Sequence, residues 1–328
     1  MKFGELPVHE TAGCILAHSI ATPMGRLRKG IVLNAAHIKQ LQNADVVKVT
    51  VARLEDGDVE ENEAARQLGA ALIMGCEGLN ASVAATGRVN IFAKSAGVAI
   101  LDEARLKGLN SVNPMITLAT VPNHYQTHKG GMLGTVKIIS YAVPNADLQR
   151  ACELAAQAMR LAKPESKNVS LIITQFQKSG DESKAIAATK DRVTALGSSL
   201  CEVVTCAHEL AALSDALRNA KGEVVLILTA SATSDAQDVA PASLLSAGGT
   251  LTRFGMPVDP GNLLFLGLLH GKTVIGLPGC ARSPALNGAD KVLSRVLCGV
   301  DVSSADIAEM GVGGLLKEIP TRPRPRRG

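Results

Sequence analysis

From residue 168 onward, short apolar runs alternate with amphipathic segments of helix length, and this alternation restricts the possible folds more than any other feature. We predict strands at 168–174, 201–205 and 224–229, with helices at 183–196 and 208–219 between them. Strands and helices that alternate at this length form a parallel sheet with right-handed crossovers. The sequence therefore predicts an α/β domain.

The alternation continues beyond residue 229 with shorter elements, so we extend the domain over residues 165–305. Glycines follow its later helices, as is common where helices end. The later elements are predicted as a helix at 242–247, strands at 250–256, 263–269 and 273–277, and a helix at 286–297.

The amino-terminal half, residues 1–164, shows no such alternation. Its elements are uneven in length and separated by Gly and Pro, which indicates an irregular α+β region of one or two subdomains. We find no pattern there from which chemistry can be assigned. Its predicted elements are helices at 35–44, 58–72 and 144–162 and strands at 46–51, 115–121 and 135–143.

Composition and charge argue against several classes of partner. The formal charge is +4, but four arginines lie in a terminal Pro/Arg segment, and without them the charge is zero. That segment, 306–328, is predicted to be a tail or linker. With two Tyr, five Phe and no Trp, the chain has few rings on which bases could stack, so we expect no nucleic-acid partner.

The same sequence argues against a membrane or a metal site. Apolar runs fall short of the roughly 18 residues that span a bilayer, and no signal-peptide pattern begins the chain, so we expect a cytoplasmic protein without membrane contact. The seven cysteines include no Cys-x-x-Cys pair, which favours reduced thiols over zinc ligands. No metal ligand is predicted.

Small residues follow two predicted strands and form the candidate ligand site. Because carboxyl ends of neighbouring parallel strands share an edge, we expect these loops to line one crevice. Short side chains let backbone N–H groups approach a ligand, and Arg282 suits phosphate. Asp238 could instead cap a helix, and Arg282 could be a surface arginine. The candidate residues are Thr229, Ala230, Ser231, Ala232, Thr233, Ser234, Asp238, Gly261, Asn262, Pro278, Gly279, Arg282 and Ser283.

The order of these motifs resembles the molybdopterin-binding domain of molybdenum cofactor biosynthesis proteins of the Mog and MoeA type. Residues 229–241 are similar to the family's strand-end motif, with Asp238 and Pro241 in matching places. The resemblance implies a three-layer α/β domain with a mainly parallel, mixed-edge sheet, and molybdopterin or molybdenum cofactor as ligand. Later turns similar to the family's are Gly248-Gly249, Pro260-Gly261 and Gly276-Leu-Pro-Gly279.

The amino-terminal half is similar to a longer group in which a molybdopterin-binding region precedes a nucleotidyltransferase that attaches CMP to the cofactor. This resemblance rests on residues 86–92, 113–120 and 135–139. It implies a nucleotidyltransferase domain or protein as partner, and we also expect a homo-oligomer.

The chain departs from the family pattern at several positions, which favours binding over catalysis. Ala230 and Ser231 replace a glycine pair, Asn262 replaces a lysine, and His208 lies where the Mog type has an aspartate. Loss of the lysine removes a point charge suited to phosphate. No catalytic residue is therefore assigned.

Three functions remain open. The first is binding of molybdopterin or molybdenum cofactor and its presentation for nucleotide attachment. The second is a molybdopterin adenylyltransferase or a molybdate-insertion enzyme, which would add Mg²⁺ and a nucleotide to the ligands. The third is a non-catalytic docking module for a partner transferase.

Overall fold

The chain forms two compact units in a computed structural model that describes residues 1–176 and 180–316. Most of the predicted tail, from residue 317 on, lies outside the described residues. The amino-terminal unit contains 1–94, 99–123 and 129–161, and the carboxyl-terminal unit contains 95–98, 124–128 and the chain from 162 onward.

Short strands and helices fill residues 1–162. The helices are α1 (Ala35–Gln42), α2 (Glu61–Ile73), α3 (Glu103–Asn110) and α4 (Asn145–Ala155). The strands are β1 (Lys2–Pro7), β2 (Ile15–Leu16), β3 (Ile20–Thr22), β4 (Gly25–Leu27), β5 (Lys48–Arg53), β6 (Asp58–Glu60), β7 (Leu79–Ala81), β8 (Arg88–Ala93), β9 (Gly97–Leu101), β10 (Ile116–Thr120), β11 (Gln126–Thr127), β12 (Met132–Ile138), β13 (Ala142–Pro144) and β14 (Met159–Ala162).

The core of the amino-terminal unit lies between helices and an antiparallel sheet. The sheet has the strand order β10-β12-β8-β7. Leu68 of α2 and Leu148 of α4 are fully buried in the same cluster as Val89 and Ile91 of β8. A Cβ at Gly69 would lie 2.6 Å from Val89 Cγ1, so the glycine lets α2 lie close to the sheet.

Two helix boundaries predicted in this half are wrong. Residues 58–60 form β6 and pair with β13, while the Glu60 carboxylate caps α2, so that helix begins at Glu61 rather than at 58. The helix predicted to reach 162 ends at Ala155. Gln157 has a φ of +59°, which an α-helix does not accommodate, and the chain then forms β14.

In the carboxyl-terminal unit, the predicted alternation of strands and helices is present in order. It forms a mixed α/β structure, in which the helix predicted at 242–247 begins at Val239. The elements are β15 (Asn168–Gln175), α5 (Ser183–Thr194), β16 (Ser199–Ala207), α6 (Leu210–Asn219), β17 (Val224–Leu228), α7 (Val239–Ser246), β18 (Thr250–Phe254), β19 (Phe265–Leu269), β20 (Lys272–Leu277), α8 (Gly288–Leu297) and α9 (Ser304–Glu309).

The main sheet has the strand order β16-β15-β17-β20-β19-β18. The first four strands of this order are parallel, whereas β19 is antiparallel to both β20 and β18. The carboxyl ends of β16, β15, β17, β20 and β18 therefore share one edge, which we call the carboxyl edge. Because β15 lies between β16 and β17, the chain order reverses there, and such a point is where ligands bind in open α/β sheets.

The centre of this sheet is buried on both faces. All residues of β17 are buried, and successive side chains of a strand point to opposite faces. Val225 and Ile227 share a cluster with Leu213 of α6 and Leu244 of α7. Their neighbours Val224 and Leu226 are equally buried on the other face.

The predicted tail starts at residue 306, but α9 covers Ser304–Glu309 and residues 314–316 pair with the turn around Asp259. Ser303 accepts the backbone N–H of Asp306 and caps α9. The chain after α9 pairs with the turn around Asp259, where the Leu316 N–H donates to the Asp259 carbonyl at 2.9 Å. In the described part of the chain, no helix combines the length and apolar character needed to cross a membrane.

Candidate functional site

The loops after β17 and β20 leave the sheet side by side at the carboxyl edge. Leu228 and Leu277, the last residues of these parallel strands, are register partners. Arg282, in the loop after β20, donates from Nη2 to the Thr229 carbonyl oxygen at 2.9 Å. Two of the loops that the sequence assigned to one crevice are thus in direct contact.

Arg282 also forms an ion pair with Glu182, which lies in the loop after β15. Its guanidinium therefore connects the loops after β15, β17 and β20. The two side chains are 30% and 19% exposed, so the pair is partly shielded from water. The guanidinium predicted to bind a ligand phosphate contacts the protein itself and fixes the arrangement of the loops.

A second arginine, Arg192 of α5, holds the loop after β20. It donates to the carbonyl oxygens of Ala281 at 2.9 Å and Ser283 at 2.7 Å. It also donates to Ala285 at 3.0 Å and pairs with Asp290 at 2.7 Å. Arg192 was not among the predicted site residues, because its position inside a helix carries no local signal.

The loop after β17 is held by its own side chains. Thr229 Oγ1 donates to the Ser231 carbonyl at 2.6 Å, and Thr233 is buried. Asp238 Oδ1 accepts the Val239 N–H at 2.7 Å and Oδ2 accepts the Ser234 N–H at 2.9 Å. Asp238 therefore has the helix-capping role that was the alternative to ligand binding. Ser231, Ala232 and Ser234 stay exposed at the edge.

The turn containing Gly261 and Asn262 follows β18 at the same edge. Gly261 has a φ of +139°, and a Cβ there would lie 2.6 Å from the Gly288 nitrogen, so only glycine fits beside the start of α8. Asn262 is exposed. Within the described residues, no hydrogen bond joins Gly261 or Asn262 to the Thr229–Asp238 loop. The structure thus places this turn at the edge without a hydrogen bond to that loop in the described part of the chain.

A polar cluster at the ends of β15 and β16 was not among the predicted site residues. Thr174 Oγ1 lies 2.8 Å from His208 Nδ1 and accepts the Ala230 N–H at 2.9 Å. His208 Nε2 lies 3.4 Å from Ser231 Oγ. The Phe176 ring contacts the His208 ring edge-on at a centroid distance of 5.1 Å. Applying the strand-end rule to β15 as well as to β17 and β20 would have found Thr174 and Phe176.

The carboxyl edge offers hydrogen-bonding groups and an aromatic ring. In the part of the chain that the structure describes, no group of three or more His, Cys, Asp or Glu residues is placed to hold a metal ion. Hydroxyls, an imidazole and exposed backbone suit the recognition of a polar ring or an oxyanion.

A separate cavity of about 340 Å³ lies in the amino-terminal unit. Its walls include Leu106, Lys107, Asn110 and Leu118. The Asn110 side chain bonds both backbone groups of Leu118, and Lys107 pairs with Glu103. These polar groups are occupied within the protein, so we assign no chemistry to the cavity.

No protein-family model and no curated protein matches the chain. Among solved structures, the chain is similar to the molybdopterin biosynthesis MoeA protein from Pyrococcus horikosii, with 14% identity, 90% of this chain and 75% of that chain covered, and a TM-score of 0.31. It is also similar to a molybdenum cofactor biosynthesis protein from Pyrococcus furiosus, with 12% identity, 92% of this chain and 66% of that chain covered, and a TM-score of 0.23. A third similar structure is the molybdopterin biosynthesis MoeA protein from Pyrococcus horikoshii OT3, with 11% identity, 92% of this chain and 76% of that chain covered, and a TM-score of 0.27. TM-scores this low carry no argument for a shared fold.

Proposed function

We propose that the carboxyl edge binds molybdopterin or the molybdenum cofactor and presents it for nucleotide attachment. One observation carries the proposal, the hydrogen bond between Arg282 and the Thr229 carbonyl. The sequence resemblance rests on both of these loops, and a ligand that contacts both requires them to be neighbours. The proposal includes a three-layer domain of the Mog and MoeA type, which the burial of β17 on both faces supports.

The ligand contacts are proposed to come from the exposed parts of the loops. Ser231, Ser234 and Ser283 are exposed and carry hydroxyl groups. Gly279 is exposed, and a Cβ there would meet nothing within 4 Å, so a ligand can approach its backbone. Asp238 and Arg282 would then act indirectly, by holding the loops in place.

An adenylyltransferase or molybdate-insertion enzyme is the second candidate and would require Mg²⁺ and a nucleotide. Two features argue against it: the Arg282 charge is paired with Glu182, and position 262 carries no lysine. A docking module for a partner transferase is the third candidate. A nucleotidyltransferase partner and a homo-oligomer remain part of the binding proposal.

Calorimetric titration of the purified chain with molybdopterin tests the function directly. We expect saturable binding and no turnover when Mg²⁺, a nucleotide or molybdate is added. Turnover that depends on these additions would favour the enzyme. Absence of molybdopterin binding, together with retention of a transferase, would favour the docking module.

A further inference from the structure

Three neighbouring strands bring a threonine, a histidine and a serine together at the carboxyl edge. Thr174 is the penultimate residue of β15, His208 follows β16 and Ser231 lies in the loop after β17. Their side chains form a continuous series, with 2.8 Å between Thr174 Oγ1 and His208 Nδ1 and 3.4 Å between His208 Nε2 and Ser231 Oγ. The imidazole is thus held by Thr174 on one side and faces the loop after β17 on the other.

The hydrogen-bond pattern around Thr174 determines which imidazole nitrogen carries the proton. Thr174 is fully buried, and its oxygen accepts the Ala230 N–H at 2.9 Å. Among the described residues, His208 Nδ1 is the acceptor within reach of the hydroxyl hydrogen. If Nδ1 carried the proton, that buried hydroxyl hydrogen would have no partner, which is unfavourable. The neutral imidazole is therefore assigned as the Nε2–H tautomer.

The Nε2–H group retains capacity for a ligand. Its distance of 3.4 Å to Ser231 Oγ exceeds the usual 2.7–3.2 Å range for such bonds. Ser231 is exposed and can turn away. His208 can thus donate to an acceptor atom that enters beside the loop.

An exposed aromatic ring lies next to this donor. Phe176 is 56% exposed, although the chain has only five phenylalanines, and its ring lies 5.1 Å from the His208 ring. Exposed aromatic rings beside hydrogen-bonding groups bind flat heterocycles by stacking. The Nε2–H donor of His208 and the Phe176 ring together suit a planar ring that carries a hydrogen-bond acceptor atom.

We propose that Thr174 fixes His208 as an Nε2–H donor and that His208 and Phe176 together bind a planar heteroaromatic ring through a ring carbonyl or ring nitrogen. This inference rests on the function proposed above, and it names the part of the ligand that is recognised. Thr174 is a positioning residue, whereas His208 and Phe176 contact the ligand.

Matched variants test the donor. In His208→Gln the side-chain amide keeps an N–H near the Nε2 position, whereas His208→Glu places an acceptor there. With unsubstituted pterin (2-amino-4-oxopteridine) as the probe, we expect His208→Gln to bind within about 3-fold of wild type and His208→Glu to bind at least about 10-fold more weakly. His18→Glu, at an exposed histidine of the amino-terminal unit, controls for added charge. Equal affinities for His208→Gln and His208→Glu would overturn the proposal.

The role of the Phe176 ring and the tautomer of His208 are tested by separate measurements. Phe176→Leu is expected to weaken pterin binding about 5- to 10-fold, and Phe176→Tyr to retain it. Imidazole ¹⁵N shifts of the ligand-free protein should show Nε2–H in wild type and Thr174→Ser, and loss of that preference in Thr174→Val. Nδ1–H in wild type, or unchanged affinity in Phe176→Leu, would contradict the proposal.

The two proposals fail in different ways. Wild-type protein that binds molybdopterin but not pterin, with His208→Glu unaffected, would remove the ring-recognition proposal and leave the proposed function standing. Wild-type protein that binds pterin with the expected His208 and Phe176 effects, but not molybdopterin, would support ring recognition and remove the proposed function.

Discussion

Arg282 Nη2 lies 2.9 Å from the carbonyl oxygen of Thr229, and this hydrogen bond joins loops that follow different strands of the main sheet. The same guanidinium pairs with Glu182 in a third loop. An arginine can do this because its planar group carries several donors in fixed directions. One side chain at the carboxyl edge therefore links three of its loops.

Replacing Arg282 by alanine should destabilise the carboxyl-terminal unit. The change leaves the partly buried Glu182 carboxylate without its partner, and we expect a loss of about 1–3 kcal/mol in the free energy of unfolding. Urea denaturation measures it. Arg150→Ala, which removes an exposed pair with Glu153, should cost less than about 0.5 kcal/mol. Equal losses in the two variants would show that the Arg282 contacts stabilise the protein no more than an exposed ion pair does.

Asp238 is expected to act on α7 as an N-cap. Asp238→Ala should cost about 0.5–2 kcal/mol in unfolding free energy, because the Val239 and Ser234 N–H groups lose their acceptor. Asp238→Ser should recover part of this, since serine is also a good cap. If serine were no better than alanine, the capping role assigned here would be wrong. Thermal unfolding followed by circular dichroism makes the comparison.

Two glycines near the end of β20 should differ in how much an alanine substitution destabilises the protein. A Cβ at Gly276 would collide with the buried Phe265 ring, whereas one at Gly279 would meet nothing within 4 Å. We expect Gly276→Ala to destabilise the protein by about 1–3 kcal/mol or more, and Gly279→Ala to change stability by less than about 0.5 kcal/mol. Denaturant midpoints of the two variants give the answer, and a tolerated Gly276→Ala would contradict the packing described.

Glu61 should make stability depend on pH in an unusual direction. Burial raises the pKa of its carboxyl in the folded state, so the folded protein binds more protons than the unfolded chain between the ordinary and the raised pKa. Stability from this group therefore falls as pH rises through that window. Glu61→Gln should therefore gain stability relative to wild type as pH rises through this window.

Glu63 on the same helix is the matched comparison. Hydrogen bonds from Arg66 and Gln67 lower the pKa of its carboxyl to about 2, so any stability it contributes is present above its ordinary pKa and lost in acid. Because Glu63 is exposed, solvent screening should keep the effect small. Glu61→Gln and Glu63→Gln should thus shift the pH profile in opposite directions. Parallel shifts in unfolding measurements across pH would rule out this account of Glu61.

Local pattern predicted much of the fold. The uninterrupted apolar run Val224–Leu228 lies within the strand predicted at 224–229 and is buried on both faces. The same reasoning extended α4 too far, because nothing in the alanine-rich sequence after Ala155 marks the positive φ of Gln157.

The candidate site was only partly predictable for a physical reason. The loops after β17 and β20 are neighbours because these two strands pair in the sheet. The alternation of strands and helices in the sequence predicts such neighbouring parallel strands. The partners of Arg282 and His208 lie 100 and 34 residues away, at Glu182 and Thr174, and are set by tertiary packing. Local spacing carries no information on such contacts.

The most direct test of ligand binding at the carboxyl edge is the dissociation constant for molybdopterin of a variant that blocks it. Gly279→Trp places a large side chain in open space at the edge, and Gly4→Trp does the same on β1 of the amino-terminal unit. If the edge binds the ligand, Gly279→Trp should weaken binding at least about 10-fold while Gly4→Trp binds like wild type. Wild-type affinity in a folded Gly279→Trp protein would contradict the account.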